Sequence, residues 1–299
     1  MMFKTISELI DMTKTKALSI SETMILKEID ETGRSRDMIV QQMEQNLEVM
    51  ESAVDRGINE VVESHSGLTG GDAVLINDYL KSGNALSGDF LLNAVSMAVA
   101  TNEVNAAMGT ICATPTAGSA GVVPGVLFGM KDKLKPTKEQ MVRFLFTAGA
   151  VGYVIANNAS ISGAAGGCQA EVGSATGMAA AALVEMAGGT PEQSGEAVAM
   201  ALKNTLGLIC DPVAGLVEVP CIKRNAMGAS LAIVSADMAL ANVKSRIPCD
   251  EVISAMHEVG QRMPKAFKET AEGGLAATPT GKLLQNKIFF NTSSQKSRL

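Results

Sequence analysis

The run Thr137-Lys138-Glu139-Gln140-Met141-Val142-Arg143-Phe144-Leu145-Phe146-Thr147-Ala148-Gly149-Ala150-Val151 is where the fold class of this chain can be read. Thr137 stands three residues before Gln140. That is the spacing of a capping box, in which each of the two side chains satisfies the other residue's orphaned backbone N–H at a helix start. The spacing predicts a helix through Phe144 and Leu145 towards Ile155. No charge occurs from 144 to 170, nor from 104 to 130. Uncharged lengths of this size raise the question of a membrane span. The polar groups inside them answer it: Asn157, Asn158, Ser160 and Ser162 in one, Asn105, Thr110, Thr114, Thr116 and Ser119 in the other, with Pro115 and Pro124. Such groups and Gly-rich breaks are costly in lipid. Both stretches are therefore expected to be helices that lead into buried loops, with no membrane partner.

Working outward, Thr190-Pro191-Glu192 has the cap, first-position proline and early acid of another helix start. Leu91, Leu92, Val95 and Val99 predict a helix ending near Gly109, and further helices are expected from about Asn225 to Lys244 and from Asp250 to Arg262. The first 60 residues read as three amphipathic helices. Ile6, Leu9 and Ile10 form one stripe; Met24, Ile25, Leu26 and Ile29 follow a Ser21 cap; Met38, Ile39, Met43, Leu47 and Met50 follow Ser35 after a break at Gly33. Lys27, Glu28, Asp30, Glu31, Arg34, Arg36, Asp37 and Glu44 are assigned to a solvated outer face. Strand alternation is weak and confined to Leu216–Val219. With no Trp, 2 Tyr and 8 Phe against 29 Gly and 18 Met, the composition favours close-packed helices. The expectation is an all-α protein: a helical subdomain over 1–60, a compact multi-helix body over 61–290 with Gly-rich loops around a buried site, and a disordered tail over 291–299. A net charge of −6 argues against nucleic acid as a partner. The opening Met1-Met2-Phe3-Lys4 has no leader pattern, and the expected location is cytoplasmic.

Three cysteines sit beside Gly or Pro, at expected bends or helix ends: Cys168 in Gly166-Gly167-Cys168-Gln169-Ala170-Glu171, Cys210 in Cys210-Asp211-Pro212, and Cys221 in Pro220-Cys221-Ile222-Lys223-Arg224-Asn225. Three thiolates in one pocket would make a metal site with an open position. A free cysteine is also among the most buried residue types, so plain core packing stays open as a reading. The gaps of 42 and 11 residues match neither a zinc ribbon nor a ferredoxin run.

These segments, with Ser66-Gly67-Leu68-Thr69-Gly70-Gly71-Asp72, Ala113-Thr114-Pro115-Thr116-Ala117-Gly118-Ser119, Lys268-Glu269-Thr270 and Gly273-Gly274-Leu275-Ala276, resemble the iron–sulfur-dependent L-serine dehydratases, specifically the α subunit of the two-chain form. The resemblance spans roughly residues 66 to 276 in one register. It implies a 4Fe–4S cluster on Cys168, Cys210 and Cys221, with one iron free of protein thiolate. It also implies deamination of L-serine to pyruvate and ammonia by elimination of water, and a separate β subunit as partner. Cys112 is expected to line the pocket, and Cys249 to be an ordinary cysteine.

Around the cluster, Thr114, Thr116 and Ser119 are candidate carboxylate binders, because hydroxyls and free N–H groups in a Gly-rich bend suit an anion. The alternative is a tight turn whose hydroxyls satisfy its own backbone. Asn158, with Asn157, and Lys268 are further substrate-binding candidates, against buried amides and a helix-end cation as the simpler roles. His65, before the Ser66–Asp72 loop, is the candidate general base; His257, in a surface-helix context, is discounted. The family's small domain carries histidine motifs that this chain lacks, which points to the β subunit as a possible source of the base. The chain ends Lys296-Ser297-Arg298-Leu299 without the terminal cysteine of many single-chain relatives, so a tail-blocked cluster is not expected. Two other readings stay open: the same cluster acting on threonine or another 2-hydroxy acid, and a non-catalytic subunit holding a structural metal or merely burying its cysteines.

Overall fold

The structure is a computed structural model that describes residues 2–296, with side chains as far as Phe289. Its helices are α1 (Ile6–Lys16), α2 (Ile20–Thr32), α3 (Arg36–Asn59), α4 (Asp72–Lys81), α5 (Asp89–Ala106), α6 (Val122–Gly129), α7 (Lys131–Leu134), α8 (Lys138–Asn158), α9 (Gly163–Gly166), α10 (Cys168–Met186), α11 (Pro191–Lys203), α12 (Cys221–Leu240), α13 (Cys249–Arg262) and α14 (Pro279–Lys296). No strand occurs among the described residues; one isolated parallel bridge pairs Cys210 with Lys268. The fold is all-α. The weak alternation at Leu216–Val219 follows a 3-10 turn at Val213–Gly215 instead of forming a strand.

Helix α10 is the axis of the molecule. Every residue from Cys168 to Val184 is buried, and α8, α11, α12 and α6 pack around it. A helix enclosed on all sides cannot show an amphipathic stripe. Its sequence, CQAEVGSATGMAAAALVEM, instead uses Ala and Gly to let neighbours approach. For that reason the 3.6-residue periodicity that marks the outer helices gives no signal here. Close approach recurs between α5 and α6, where a Cβ on Gly125 would fall 2.6 Å from the Cβ of Ala98. Between α3 and α5, a Cβ on Gly57 would fall 2.5 Å from the Ala100 carbonyl oxygen.

The outer elements start where their caps place them. Thr137 and Gln140 form the full capping box of α8, and Thr190 with Gln193 forms another at α11 behind Pro191. Ser35 caps α3, but Ser19 and not Ser21 caps α2. Ser21 lies one position inside the helix and is buried, and its N–H and that of Ile20 donate to the Glu185 carboxylate of α10. Lys27 also differs from expectation. It is 0% exposed, with its Nζ 3.7 Å from the centre of the Tyr153 ring and a partner in Glu31. The aliphatic stem packs inward while the ammonium finds a π face and a carboxylate, which is how a buried lysine is tolerated.

Phe3, Ile6, Leu9, Ile25 and Leu47 share one continuous core with Phe144, Val172 and Ala229, so the N-terminal helices and the body bury their apolar faces together. Helix α12 starts at Cys221, four residues before the expected Asn225. Helix α14 runs to Lys296 where a disordered tail is expected from 291, and 297–299 lie outside the described residues. Among the described residues no helix is long and apolar enough to cross a membrane.

Candidate metal centre

Two of the three cysteines open helices. Gly167, with φ at 78°, turns the chain into α10 so that Cys168 is its first residue. Pro220 precedes α12, which begins at Cys221. Helix starts carry unpaired N–H groups and partial positive charge, which favour a thiolate. Cys210 comes from a loop, held in place by backbone: its N–H donates to Phe267 O at 2.8 Å and its carbonyl accepts from Glu269 N at 2.8 Å. Gln169 ties that loop to α10, accepting from Gly207 N at 2.9 Å while donating to Met256 O at 2.9 Å.

All three cysteines are buried. Sulfurs of Cys168 and Cys210 and a carboxylate oxygen of Glu171 lie within 4.8 Å of one another. Glu171 sits one helical turn beyond Cys168, on the same face. Arg224, one turn into α12, donates to Cys168 Sγ at 3.5 Å and to Ile209 O at 2.8 Å. Its guanidinium also pairs with Asp211 at 2.8 Å, both side chains being largely buried. Asp211 accepts the Leu275 N–H at 2.7 Å, which fastens the 273–277 turn beside the site.

The electrostatics divide the sulfurs into unlike partners. A hydrogen bond from Cys210, reinforced by Arg224, holds the Cys168 thiol below its ordinary range despite burial. The same hydrogen bond, with burial, pushes Cys210 up. Burial, and then the negative charge at Cys168 and Glu171, pushes Cys221 up. Burial likewise raises Glu171, although the Thr116 hydroxyl donates to it, and Glu269 adds a second negative charge nearby. Without a cation, this donor set can hold only part of its potential negative charge. A positively charged metal group would release the remaining protons and stabilise all the donors together. Two sulfurs beside one carboxylate, with the Cys221 thiol outside that 4.8 Å group but within reach of its charge, are a donor set suited to iron–sulfur or zinc. The residues present therefore fit an iron–sulfur group.

The Thr114–Ser119 loop lies against this group. Ser119 donates to Thr114 O at 3.1 Å, and the Thr114 hydroxyl points to Ala120 O at 3.4 Å, so both also serve the loop itself. Thr116 turns its hydroxyl to Glu171. Asn225 braces the loop, donating to Gly118 O at 2.7 Å and accepting from Gly121 N at 3.0 Å, and Asn102 donates to the same carbonyl at 3.2 Å. A Cβ on Gly118 would stand 2.5 Å from Glu171 Oε1, so the carboxylate would have to shift to admit one.

The other candidates divide. Lys268 borders a cavity of about 290 Å³ with Ser160, Gly166, Ala170 and His257, adjoining the start of α10. His257, discounted from sequence, lines that cavity and hydrogen-bonds Gln261 at 2.9 Å. The Asn158 amide donates to Lys4 O at 2.6 Å and Val154 O at 2.8 Å, anchoring the N-terminal segment. Asn157 donates to Tyr153 O at 2.7 Å. His65 is exposed on a loop whose Ser66 and Thr69 hydroxyls donate to Glu218 at 2.8 and 3.1 Å, three residues before Cys221. Cys112 is half-buried, with its thiol 3.5 Å from Asn46 O.

Sequence reasoning gave no role to Glu171, Arg224, Asp211, Asn225 or Glu269. The i, i+3 spacing of Cys168 and Glu171 and of Cys221 and Arg224 was the available signal, once each cysteine is placed at a helix start.

Comparison with known proteins agrees in extent with the geometry. The model of the serine dehydratase alpha chain family matches residues 15–276. The chain is 69% identical over 288 residues to a probable L-serine dehydratase, alpha chain, of Bacillus subtilis, covering 96% of each. It is 41% identical over 288 residues to the L-serine dehydratase, alpha chain, of Peptoniphilus asaccharolyticus, covering 96% of this chain and 99% of that one. An L-serine dehydratase of Streptomyces coelicolor is 40% identical over 282 residues, covering 92% of this chain but 60% of the relative.

Proposed function

The chain belongs to the serine dehydratase alpha chain family, and from that premise we propose that it is the α subunit of an L-serine dehydratase, a lyase that converts L-serine to pyruvate and ammonia by eliminating water. The observation that carries the reading is the convergence of Cys168 and Cys210, 42 residues apart in sequence, with Glu171 on one buried site beside the Thr114–Ser119 loop, with buried Cys221 near enough to feel the charge of Cys168 and Glu171. In this reading Cys168, Cys210 and Cys221 hold a 4Fe–4S cluster. When bound, it supplies a Lewis acid that stabilises departing hydroxide.

The remaining work falls to the protein. Arg224 adds to the Cys210 hydrogen bond in lowering the Cys168 thiol and fixes its direction, and Asp211 keeps Arg224 in place. The N–H groups of the Thr114–Ser119 loop offer hydrogen bonds to the substrate carboxylate, on a backbone that Asn225 and Asn102 hold rigid, while the Thr116 hydroxyl stays on Glu171. Pre-organised positioning of this kind lowers the entropic part of the barrier. Lys268, at the rim of the adjoining cavity, provides a cation for an incoming anion. Burial of the site excludes water that would compete for these donors.

The companion is a β subunit. The relatives matched end to end are called alpha chains, while the Streptomyces relative carries further sequence in one polypeptide. In this reading the β subunit completes the site and supplies the base that takes the α-proton; His65, exposed on its loop, is the candidate within this chain. Reduced thiols and an exchangeable iron fit the cytoplasm.

An anaerobic serine deaminase assay on iron–sulfur-reconstituted protein, with and without the β chain, tests the proposal through pyruvate and visible absorbance together. Pyruvate that needs both chains supports it. A brown protein that leaves serine untouched with its partner present retires serine as the substrate, and a colourless protein that takes up no iron retires the cluster.

A further inference from the structure

Among the described residues, no cation balances the buried Glu171 carboxylate. Among those residues, it is met by the Thr116 hydroxyl on one oxygen and by the bare backbone of Gly118 and Gly163. A Cβ on Gly118 would stand 2.5 Å from Oε1, and one on Gly163 would stand 3.2 Å from Oε2 and 2.7 Å from Cys210 Sγ. The two glycines thus clear the space around both oxygens and the neighbouring sulfur. Glu269, also 3.2 Å from that Gly163 position, adds a like charge and no compensation. Arg224, the buried cation of the site, is committed to Asp211, Ile209 O and Cys168.

Burying a carboxylate with no countercharge is costly, so the group takes up a proton or meets a positive partner, and a metal group held by the adjacent sulfurs would be that partner. The donors nearest to it are the Cys168 and Cys210 sulfurs, within 4.8 Å. We propose that Glu171 is the fourth, exchangeable ligand of the metal group at this site: its carboxylate occupies the iron that no cysteine binds in the resting protein, and gives up that position to an oxygen of the substrate. The proposal rests on the cluster reading above and goes beyond it in naming what fills the open position. Exchange of one oxygen donor for another moves no electrons. The displaced carboxylate keeps its hydrogen bond from Thr116, so the same residue that frees the iron stays tied to the loop proposed to receive the substrate. A carboxylate suits this task better than a thiolate, because a hard oxygen ligand on iron is displaced more readily by another oxygen donor.

The test uses the full-length chain, reconstituted anaerobically, as wild type, Glu171→Gln and Glu171→Cys. Each protein is exposed briefly to air, and the three-iron signal is counted by electron paramagnetic resonance; the distinct iron is then followed by Mössbauer spectroscopy on titration with L-serine. Glu171→Gln keeps the shape and the Thr116 contact while removing the anionic ligand. It is expected to load iron but to accumulate the three-iron form severalfold faster, and its distinct iron should already resemble a water-ligated site before serine is added. Glu171→Cys supplies a tighter fourth ligand and is expected to lose that iron severalfold more slowly than wild type. Equal rates of iron loss and unchanged Mössbauer parameters in all three proteins would overturn the ligand assignment while leaving the cluster intact. A wild-type protein that loads no cluster would overturn both readings. Circular dichroism of the unloaded proteins separates a folding defect from a ligand effect, and Glu171→Asp, which keeps the charge on a shorter arm, is expected to recover part of the wild-type resistance to air.

Discussion

At the residue scale, the site depends on pairs of groups that make sense only together. Arg224 and Asp211 form a largely buried ion pair at 2.8 Å. Removing one partner leaves the other charge uncompensated, so Asp211→Ala is expected to cost about 3 kcal/mol or more in urea unfolding of the unloaded protein. The double variant Asp211→Leu with Arg224→Met is expected to lose less than the sum of the two single variants, because no lone charge remains. Cys168→Ser, Cys210→Ser and Cys221→Ser should each lower the iron bound per chain after reconstitution, whereas Cys249→Ala should leave it unchanged. Sequence motifs made all three cysteines legible. Glu171 and Arg224 stood in the same motifs, but their roles depend on which way a helix face points, and no local pattern gives that.

Element by element, the outer helices and the central one follow different rules. Helices α8 and α11 are delimited by capping boxes that local sequence specifies completely. Thr137→Ala and Thr190→Ala are each expected to cost about 1 kcal/mol, measurable as lower urea midpoints. Helix α10 has no such outward sign, since its small residues serve close approach by four neighbours. The same logic holds at the α5–α6 contact. Gly125→Ala would place a methyl 2.6 Å from the Ala98 Cβ, against 2.9 Å to its Cα. It should therefore force the helices apart, lowering stability by about 1–3 kcal/mol. Misreading Ser21 as the α2 cap has a related cause. Ser19 and Ser21 are both competent caps by type, and the choice between them is made by Glu185 of α10, which accepts the N–H groups at Ile20 and Ser21.

Across the whole molecule, the N-terminal helices are joined to the body by charge as well as by the shared core. Glu22 of α2 takes two hydrogen bonds from Arg36 of α3, and Arg143 of α8 lies 3.7 Å away. The bond from Arg36 holds the Glu22 carboxyl below its usual range. A carboxylate depressed in the folded state contributes stability above its unfolded value, and that contribution is lost as pH falls through the folded one. Glu22→Gln should accordingly lower the urea midpoint at neutral pH, and the deficit should close at pH values below the carboxylate range. Because Glu22 is partly exposed, the effect will be modest and will shrink in high salt. Loading the metal group should act in the opposite direction. It binds only where the three cysteines are assembled, so it should raise the thermal midpoint of the anaerobic protein, and chelation should reverse the gain.

From sequence alone came the helical class, the caps of α8 and α11, the three cysteines at bends and helix starts, and a family resemblance since matched over residues 15–276. These are determined locally, by spacing along the chain and by which side chains can satisfy a helix end. Tertiary structure alone decided that α10 runs through the centre, that Lys27 is buried against Tyr153, that Asn158 anchors the N-terminal segment, and that Glu171 faces the sulfurs of Cys168 and Cys210. Each of those outcomes depends on what lies across a packed interface from residues far away in sequence. Burial changes the energy of a charge far more than it changes the energy of a hydrocarbon, and a buried Lys27 in place of a solvated one is a reading of the sequence overruled on that ground.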